Sequence, residues 1–157
     1  VKVRVLTEKM LKREFAHDPN LKLPKHTAVF VVEGPIFFAA VESFEQVLSA
    51  TAKDRKAVIL RLRYVPFIDG TALQALEKVI AELLEQNTVV VLTEVNPTVK
   101  SMLSRMGLIR KLGIDHFIDE VPEALQYVAD LQLDTDDEAA EHKGDEEPSA
   151  QTQVGPS

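Results

Sequence analysis

An acidic residue and a hydroxyl stand two positions apart, at Asp69 and Thr71, where an apolar run gives way to a regular helical pattern. The first turn of a helix has unpaired backbone N–H groups and a partial positive charge, so an anion or a phosphate could bind here. Alternatively, the Asp69 carboxylate caps the helix by accepting hydrogen bonds from N–H groups near Thr71 and Ala72. The two interpretations are compatible, because a cap leaves other N–H groups unpaired.

Several catalytic and metal-binding patterns are missing from the sequence. A dinucleotide or P-loop site needs glycines after the first strand, and Gly34 is followed by Pro35, which has no N–H for a phosphate. There is no cysteine and no Gly-x-Ser-x-Gly motif, so thiol and serine-hydrolase chemistry are not indicated. The four histidines occur singly, at positions 17, 26, 116 and 142. We therefore expect neither an enzyme nor a metal site.

The acidic excess lies at one end of the chain. The formal net charge is −7, and residues 134–157 alone carry eight acidic residues and one lysine. This stretch has no aromatic residue and one larger aliphatic residue, Val154. Burial cannot offset its ordering entropy, so we expect a disordered acidic tail. An acidic interaction tail is the alternative.

The opposite end is basic, since residues 1–26 contain seven Lys or Arg and three Asp or Glu. Such a bias is typical of solvated surface and also of a segment next to a membrane helix on its cytoplasmic side. The chain starts with Val1 and contains no apolar run long enough to span a bilayer, so we expect a piece of a longer protein. Nucleic-acid binding is not expected, because the first 133 residues are neutral overall and lack interleaved basic and aromatic residues.

Hydrophobic periodicity predicts alternating strands and helices. The predicted strands are residues 1–6, 28–32, 58–62, 88–92 and 116–118, with a further apolar piece at 36–40. The predicted helices are residues 8–15, 41–52, 71–86, 97–106 and 122–129. Asn96 is predicted to cap the fourth of these, with Pro97 in its first position, and Gly107 is predicted to end it. Helices of this length between strands imply parallel crossovers with helices packed on the sheet. We predict a small α/β domain with a mixed, mainly parallel sheet.

Two motifs make the resemblance to a known family specific. Ile68-Asp69-Gly70-Thr71-Ala72, at the head of a helix after a hydrophobic strand, resembles the STAS domain, the module shared by sulfate transporters and anti-sigma factor antagonists. Upstream, Gly34-Pro35-Ile36-Phe37-Phe38-Ala39-Ala40 resembles the segment typical of the SulP sulfate permease branch. The similarity covers roughly residues 28–131. It assigns structural motif roles to Gly34, Pro35, Phe37, Phe38 and Ile68.

The resemblance implies a STAS-type fold and a non-catalytic role. The expected organisation is a basic juxtamembrane strand and linker (1–26), a STAS core (27–133) and the disordered acidic tail (134–157). The implied protein is a secondary transporter of sulfate, bicarbonate or dicarboxylates, and this domain lies on the cytoplasmic face of the plasma or inner membrane. The implied partners are the transmembrane part of the same transporter, a second copy in a homodimer, and a cytosolic regulatory protein. No cofactor is expected, although a guanine or adenine nucleotide at Asp69, Gly70 and Thr71 is an alternative.

The regulatory branch of the family implies a second function. There, the hydroxyl two residues after the motif aspartate accepts a phosphate from a partner kinase, and by position this is Thr71. Phosphate at a helix N-terminus is electrostatically favourable and changes the exposed surface. Gly70 and Ala72 depart from the common pattern of a small hydroxyl residue and a glycine. The alternative is thus a free-standing anti-sigma factor antagonist-like protein phosphorylated at Thr71.

Overall fold

The computed structural model describes residues 2–34 and 41–133, where five strands and six α-helices are found. The predicted piece at 36–40, motif residues Pro35, Phe37 and Phe38, and the acidic tail lie outside the described residues. The strands are β1 (Lys2–Leu6), β2 (Thr27–Glu33), β3 (Ala57–Tyr64), β4 (Val89–Thr93) and β5 (Phe117–Ile118). The helices are α1 (Glu8–Glu14), α2 (Val41–Ala52), α3 (Gly70–Glu85), α4 (Pro97–Arg105), α5 (Leu108–Leu112) and α6 (Val121–Asp130).

The strands form one sheet in the order β1-β2-β3-β4-β5. Strand β1 runs antiparallel to β2 at one edge, and the other neighbouring pairs are parallel. The predicted mixed, mainly parallel sheet is confirmed. The helical crossovers between β2 and β5 explain the parallel pairing, since parallel neighbours need a long connection.

Helices cover both faces of the sheet, which is why the central strands are continuous apolar runs. Alternate residues along each strand point to opposite faces. One core combines inward residues of α2 to α5 with one strand face: Leu48, Leu76, Leu103, Leu112, Phe30, Leu60 and Leu92. The other combines α1 and α6 with the opposite face: Leu11, Leu125, Val29, Ile59 and Val91.

The basic N-terminal segment is packed onto this sheet. Leu6 of β1 and Leu11 of α1 are buried in the core that α6 also covers. The N–H of Leu23 donates to the Glu8 carboxylate at 2.8 Å, which ties the chain after α1 back to that helix. The N-terminal segment therefore packs against the domain core, across the predicted boundary between residues 26 and 27.

The region after α4 differs from the sequence prediction. Gly107 ends α4 as predicted, but its left-handed backbone (φ 78°) redirects the chain into a further short helix, α5. A 3-10 turn at Ile114–His116 follows, so His116 precedes β5 instead of belonging to it. A five-residue helix is too short to show a periodicity, and glycine adopts a positive φ at little cost.

Candidate functional site

The loop between β3 and α3 has an inner and an outer side. Val65 and Ile68 are buried in the core and fix the course of the chain. Tyr64 and Phe67 are exposed, by 46% and 39%. The Tyr64 carbonyl accepts a hydrogen bond from the N–H of Gly34 at 2.8 Å, so the loop after β2 meets the end of β3. The buried residues anchor the loop while its aromatic side chains face outward.

Asp69 caps α3, as the sequence predicts. Its backbone is extended (φ −75°, ψ 167°), and its Oδ1 accepts a hydrogen bond from the Ala72 N–H at 2.8 Å. The Asp69 carbonyl accepts the first helical hydrogen bond, from the Leu73 N–H at 2.8 Å. The side chain thus satisfies one of the orphan donors of the first helical turn.

The two residues after the cap are accessible. Gly70 is the first residue of α3, and an added Cβ would meet nothing within 4 Å, so neither space nor a left-handed backbone requires glycine here. Thr71 is exposed in the first turn. The position predicted as a phosphoacceptor is therefore accessible to solvent.

Asn96 joins this loop to the next one. Its Oδ1 caps α4 by accepting a hydrogen bond from the Val99 N–H at 2.8 Å, as the sequence predicts. Its Nδ2 donates to the Val65 carbonyl at 2.9 Å, a link that the sequence does not reveal. One amide side chain consequently fixes the loops after β3 and β4 relative to each other.

An ionic cluster centred on the buried Arg61 of β3 lies on the face of the sheet that α1 and α6 cover. The Arg61 side chain is only 2% exposed. Its Nη1 and Nη2 donate to the two Glu14 carboxylate oxygens at 2.8 and 2.5 Å, and its Nε donates to Glu94 at 2.8 Å. The rings of Phe15 and Tyr64 lie 5.5 and 5.8 Å from the guanidinium carbon. Bidentate pairing of this kind is the strong geometry for an arginine and a carboxylate.

The cluster shifts the ionisation of both partners. The hydrogen bonds from Arg61 lower the pKa of the Glu14 carboxyl below its ordinary value, although partial burial opposes this shift. The two hydrogen bonds to Glu14, and then the one to Glu94, raise the pKa of Arg61 above its ordinary value. The ion pair stays charged across the physiological range.

Sequence reasoning missed this cluster. A signal was present, because an arginine within the buried run of β3 needs a hydrogen-bonded counter-ion. The sequence could not name that counter-ion, since Glu14 lies 47 residues earlier and Glu94 33 residues later.

An open cavity of about 500 Å³ lies elsewhere, beside β5 and α6. Its lining includes Phe117, Asp119 and Tyr127 but none of the three loop residues Asp69, Gly70 and Thr71. Within residues 2–34 and 41–133, no group of three His, Asp or Glu side chains is placed to hold a metal ion. No helix in this described part is long and apolar enough to cross a bilayer.

Comparison with known proteins identifies the family. Residues 18–124, more than half of the chain, match the STAS domain family. The chain belongs to the STAS domain family. Within this STAS domain, motif residues Ile68 to Thr71 form the end of the β3–α3 loop and the start of α3, and Gly34 directly follows β2 with a φ of 92°.

Solved and curated relatives place this STAS domain close to those of sulfate transporters. It is 31% identical to the SulP transporter STAS domain of Vibrio cholerae, with a TM-score of 0.63, covering 78% of this chain and 96% of that one. A sulfate transporter family protein of Wolinella succinogenes is 30% identical, with a TM-score of 0.62, covering 68% and 87%. YvdB of Bacillus subtilis (strain 168), named for sulfate transport, is 28% identical over 73% of this chain and 20% of its own length. The chain thus spans about a fifth of that curated relative.

The same fold occurs in the regulatory branch. An anti-sigma factor antagonist from Mycobacterium paratuberculosis has a TM-score of 0.59 at 17% identity, covering 82% of this chain and 95% of that one. At this identity the likeness shows the fold alone.

Proposed function

We propose that this STAS domain is the cytoplasmic regulatory and assembly domain of a SulP-type secondary anion transporter, and that it performs no catalysis. The observation that carries the proposal is the 31% identity to a SulP transporter STAS domain over 78% of the chain. The 20% share of YvdB supports a domain within a larger transporter. Sulfate, bicarbonate and dicarboxylates are the proposed substrate class of the whole protein.

The geometry of the loop supports a role in binding. The Asp69 carboxylate is a helix cap, and Tyr64, Phe67 and Thr71 are exposed around it. Exposed aromatic side chains on a well-anchored loop are suited to a protein contact. The proposed partners are the transmembrane part of the same transporter, a second copy in a homodimer, and a cytosolic regulatory protein.

Fractionation of native cells tests the proposal. An antibody raised against residues 27–131 should detect a band several times larger than this 17.5 kDa chain, released from membranes only by detergent. A soluble band near 17 kDa would contradict a transporter domain.

A second candidate is a free-standing partner-switching protein. The exposed position of Thr71 in the first turn of α3 favours it, because a phosphate there would meet a partly positive helix end. Phosphopeptide mass spectrometry of the native protein should then find phosphate on Thr71. Its absence under every growth and kinase condition tried would count against this candidate.

A guanine or adenine nucleotide at the Asp69 loop is the remaining proposal for a ligand. It rests on the backbone N–H groups and the partial positive charge of the first turn of α3. Titration with GTP or ATP should shift the amide resonances of Asp69 and Thr71. The absence of amide shifts up to millimolar nucleotide would contradict this proposal.

A further inference from the structure

The open cavity beside β5 and α6 is lined by acidic and apolar side chains together. Of the nine residues around it, four are carboxylates, four are aliphatic or aromatic, and one is glutamine. In the described part of the chain, no lysine, arginine or histidine lines it. We call this space, between residues 114–119 and the outer side of α6, the β5–α6 groove; its carboxylates are Asp115, Asp119, Glu123 and Asp130.

Apolar side chains remain accessible in the β5–α6 groove. Helix α6 contributes a single face with i, i+3, i+4 and i+7 spacing: Glu123, Gln126, Tyr127 and Asp130. Its other side is buried in the core. Ile114 opens the 3-10 turn and is 60% exposed, more than any other large hydrophobic side chain described. The groove therefore offers an aliphatic contact next to carboxylates.

The negative charge of the β5–α6 groove is not neutralised by the fold. Among the residues that the structure describes, none of the four carboxylates forms an ion pair. The Asp130 carboxylate accepts a hydrogen bond from Gln126 Nε2 at 2.8 Å, which is a neutral donor. Lys100 lies to one side, where it lines a small neighbouring cavity together with Asp119. Four carboxylates beside one lysine leave the groove strongly acidic.

Helix α1 presents a surface of complementary charge. Lys9, Met10 and Arg13 lie on its outer side, because residues three and four positions apart share a helix face. Leu11, on the opposite side, is buried in the core. Met10 is 47% exposed, and neither Lys9 nor Arg13 forms an ion pair within the described chain. We call Lys9, Met10 and Arg13 the α1 face.

The acidic residues of α1 make contacts elsewhere. The Glu14 carboxylate accepts hydrogen bonds from Arg61 beneath the helix. The Glu8 carboxylate accepts a hydrogen bond from the Leu23 N–H at 2.8 Å and lies 3.8 Å from Lys12. The α1 face therefore keeps two free cations beside an exposed thioether, a side chain that adapts to irregular apolar surfaces.

We infer that the α1 face of one copy docks in the β5–α6 groove of a second copy. Cations would then meet carboxylates, and Met10 would cover the exposed Ile114. The α1 helix lines no part of the groove of its own copy. Helices α1 and α6 cover the same face of the sheet, so a two-fold axis over that face would allow both contacts to form and the pair to close. The inference rests on the proposed function, because it supplies the proposed homodimer with a contact surface.

Sedimentation equilibrium of the full 157-residue chain tests the inference. The chain should form a dimer whose association constant falls as salt rises, because exposed charge pairs are screened. The variants K9E/R13E and D115K/D130K should each lower the association constant at least about tenfold. The chain that carries all four substitutions should associate at least about threefold more tightly than either of them, since the reversed charges attract again.

The matched control separates the contact from a general effect of net charge. The formal net charge of the chain is −7, so two copies repel each other, and D115K/D130K reduces that repulsion. The control E82K/E85K makes the same change in net charge on α3, which covers the opposite face of the sheet. It should not weaken association, whereas D115K/D130K should.

A further variant tests the apolar contribution. Ile114→Ala should lower the association constant severalfold without changing its salt dependence, because the lost contact is apolar. Circular dichroism should show unchanged helix content for every variant, since all the substituted side chains are exposed.

Three outcomes would overturn the inference. They are a monomer at every concentration up to about 1 mM, a combined variant that associates no more tightly than either double variant, and loss in D115K/D130K without loss in K9E/R13E. The last would show that a different basic segment occupies the groove. Monomeric behaviour would leave the proposed function standing if native fractionation still places the protein in membranes.

Discussion

Replacing Glu14 by glutamine should destabilise the fold by about 1–2 kcal/mol. Glutamine retains one oxygen acceptor for Arg61, but it loses the charge and turns an N–H₂ donor toward a guanidinium. A hydrogen bond to a charged group contributes about 1.5–3 kcal/mol. The expected loss of unfolding free energy lies below the upper end of this range because the Glu14 side chain is 43% exposed and water can replace part of the contact.

The destabilisation caused by E14Q should decrease as the pH falls. The folded state lowers the pKa of Glu14, so its carboxylate stabilises the fold above the ordinary carboxyl pKa. This contribution is lost as the pH falls through the lowered value. The difference between the parent and E14Q should therefore be full at about pH 7 and shrink toward zero below about pH 4.

Urea unfolding followed by circular dichroism at both pH values is the suitable assay, since the chain has no tryptophan. Glu82→Gln is the matched control, because Glu82 is exposed on α3 and forms no ion pair among the described residues. Equal unfolding free energies for E14Q and E82Q at neutral pH would refute the reasoning. So would a difference that persists unchanged at low pH.

Three other changes have expected outcomes. Asp69→Ala should cost about 0.5–2 kcal/mol of unfolding free energy through the lost cap, whereas Asp69→Asn should cost less; equal effects in urea melts would argue against capping. Asn96→Ala should cost more than Asn96→Ser, whose hydroxyl can still cap α4 but whose shorter side chain lacks the amide donor to the Val65 carbonyl; no cost for Asn96→Ser would contradict the bridging role. Removing residues 134–157 should leave the thermal midpoint nearly unchanged, because Val154 is their one larger aliphatic residue; a large drop would show that the tail docks.

Local patterns predicted much of the fold. The stripe formed by Leu76, Ile80 and Leu83 locates α3 to within one residue at each end, and Asp69 and Asn96 are correctly predicted as caps. These features depend on neighbours within one or two helical turns, so the order of residues is enough to reveal them. The short helix α5 was missed because its five residues carry no full period.

The candidate site also contains features that the sequence reveals and features that it does not. The amino-acid order alone reveals the Asp69–Thr71 loop, its place at a helix start and its likeness to the STAS motif, because each depends on contiguous residues. By contrast, the bridge that Asn96 forms between two loops and the neutralisation of Arg61 by Glu14 and Glu94 are visible only in the folded chain. Those contacts join residues more than 30 positions apart in the chain, and the sheet order that brings them together is set by the packing of the whole domain.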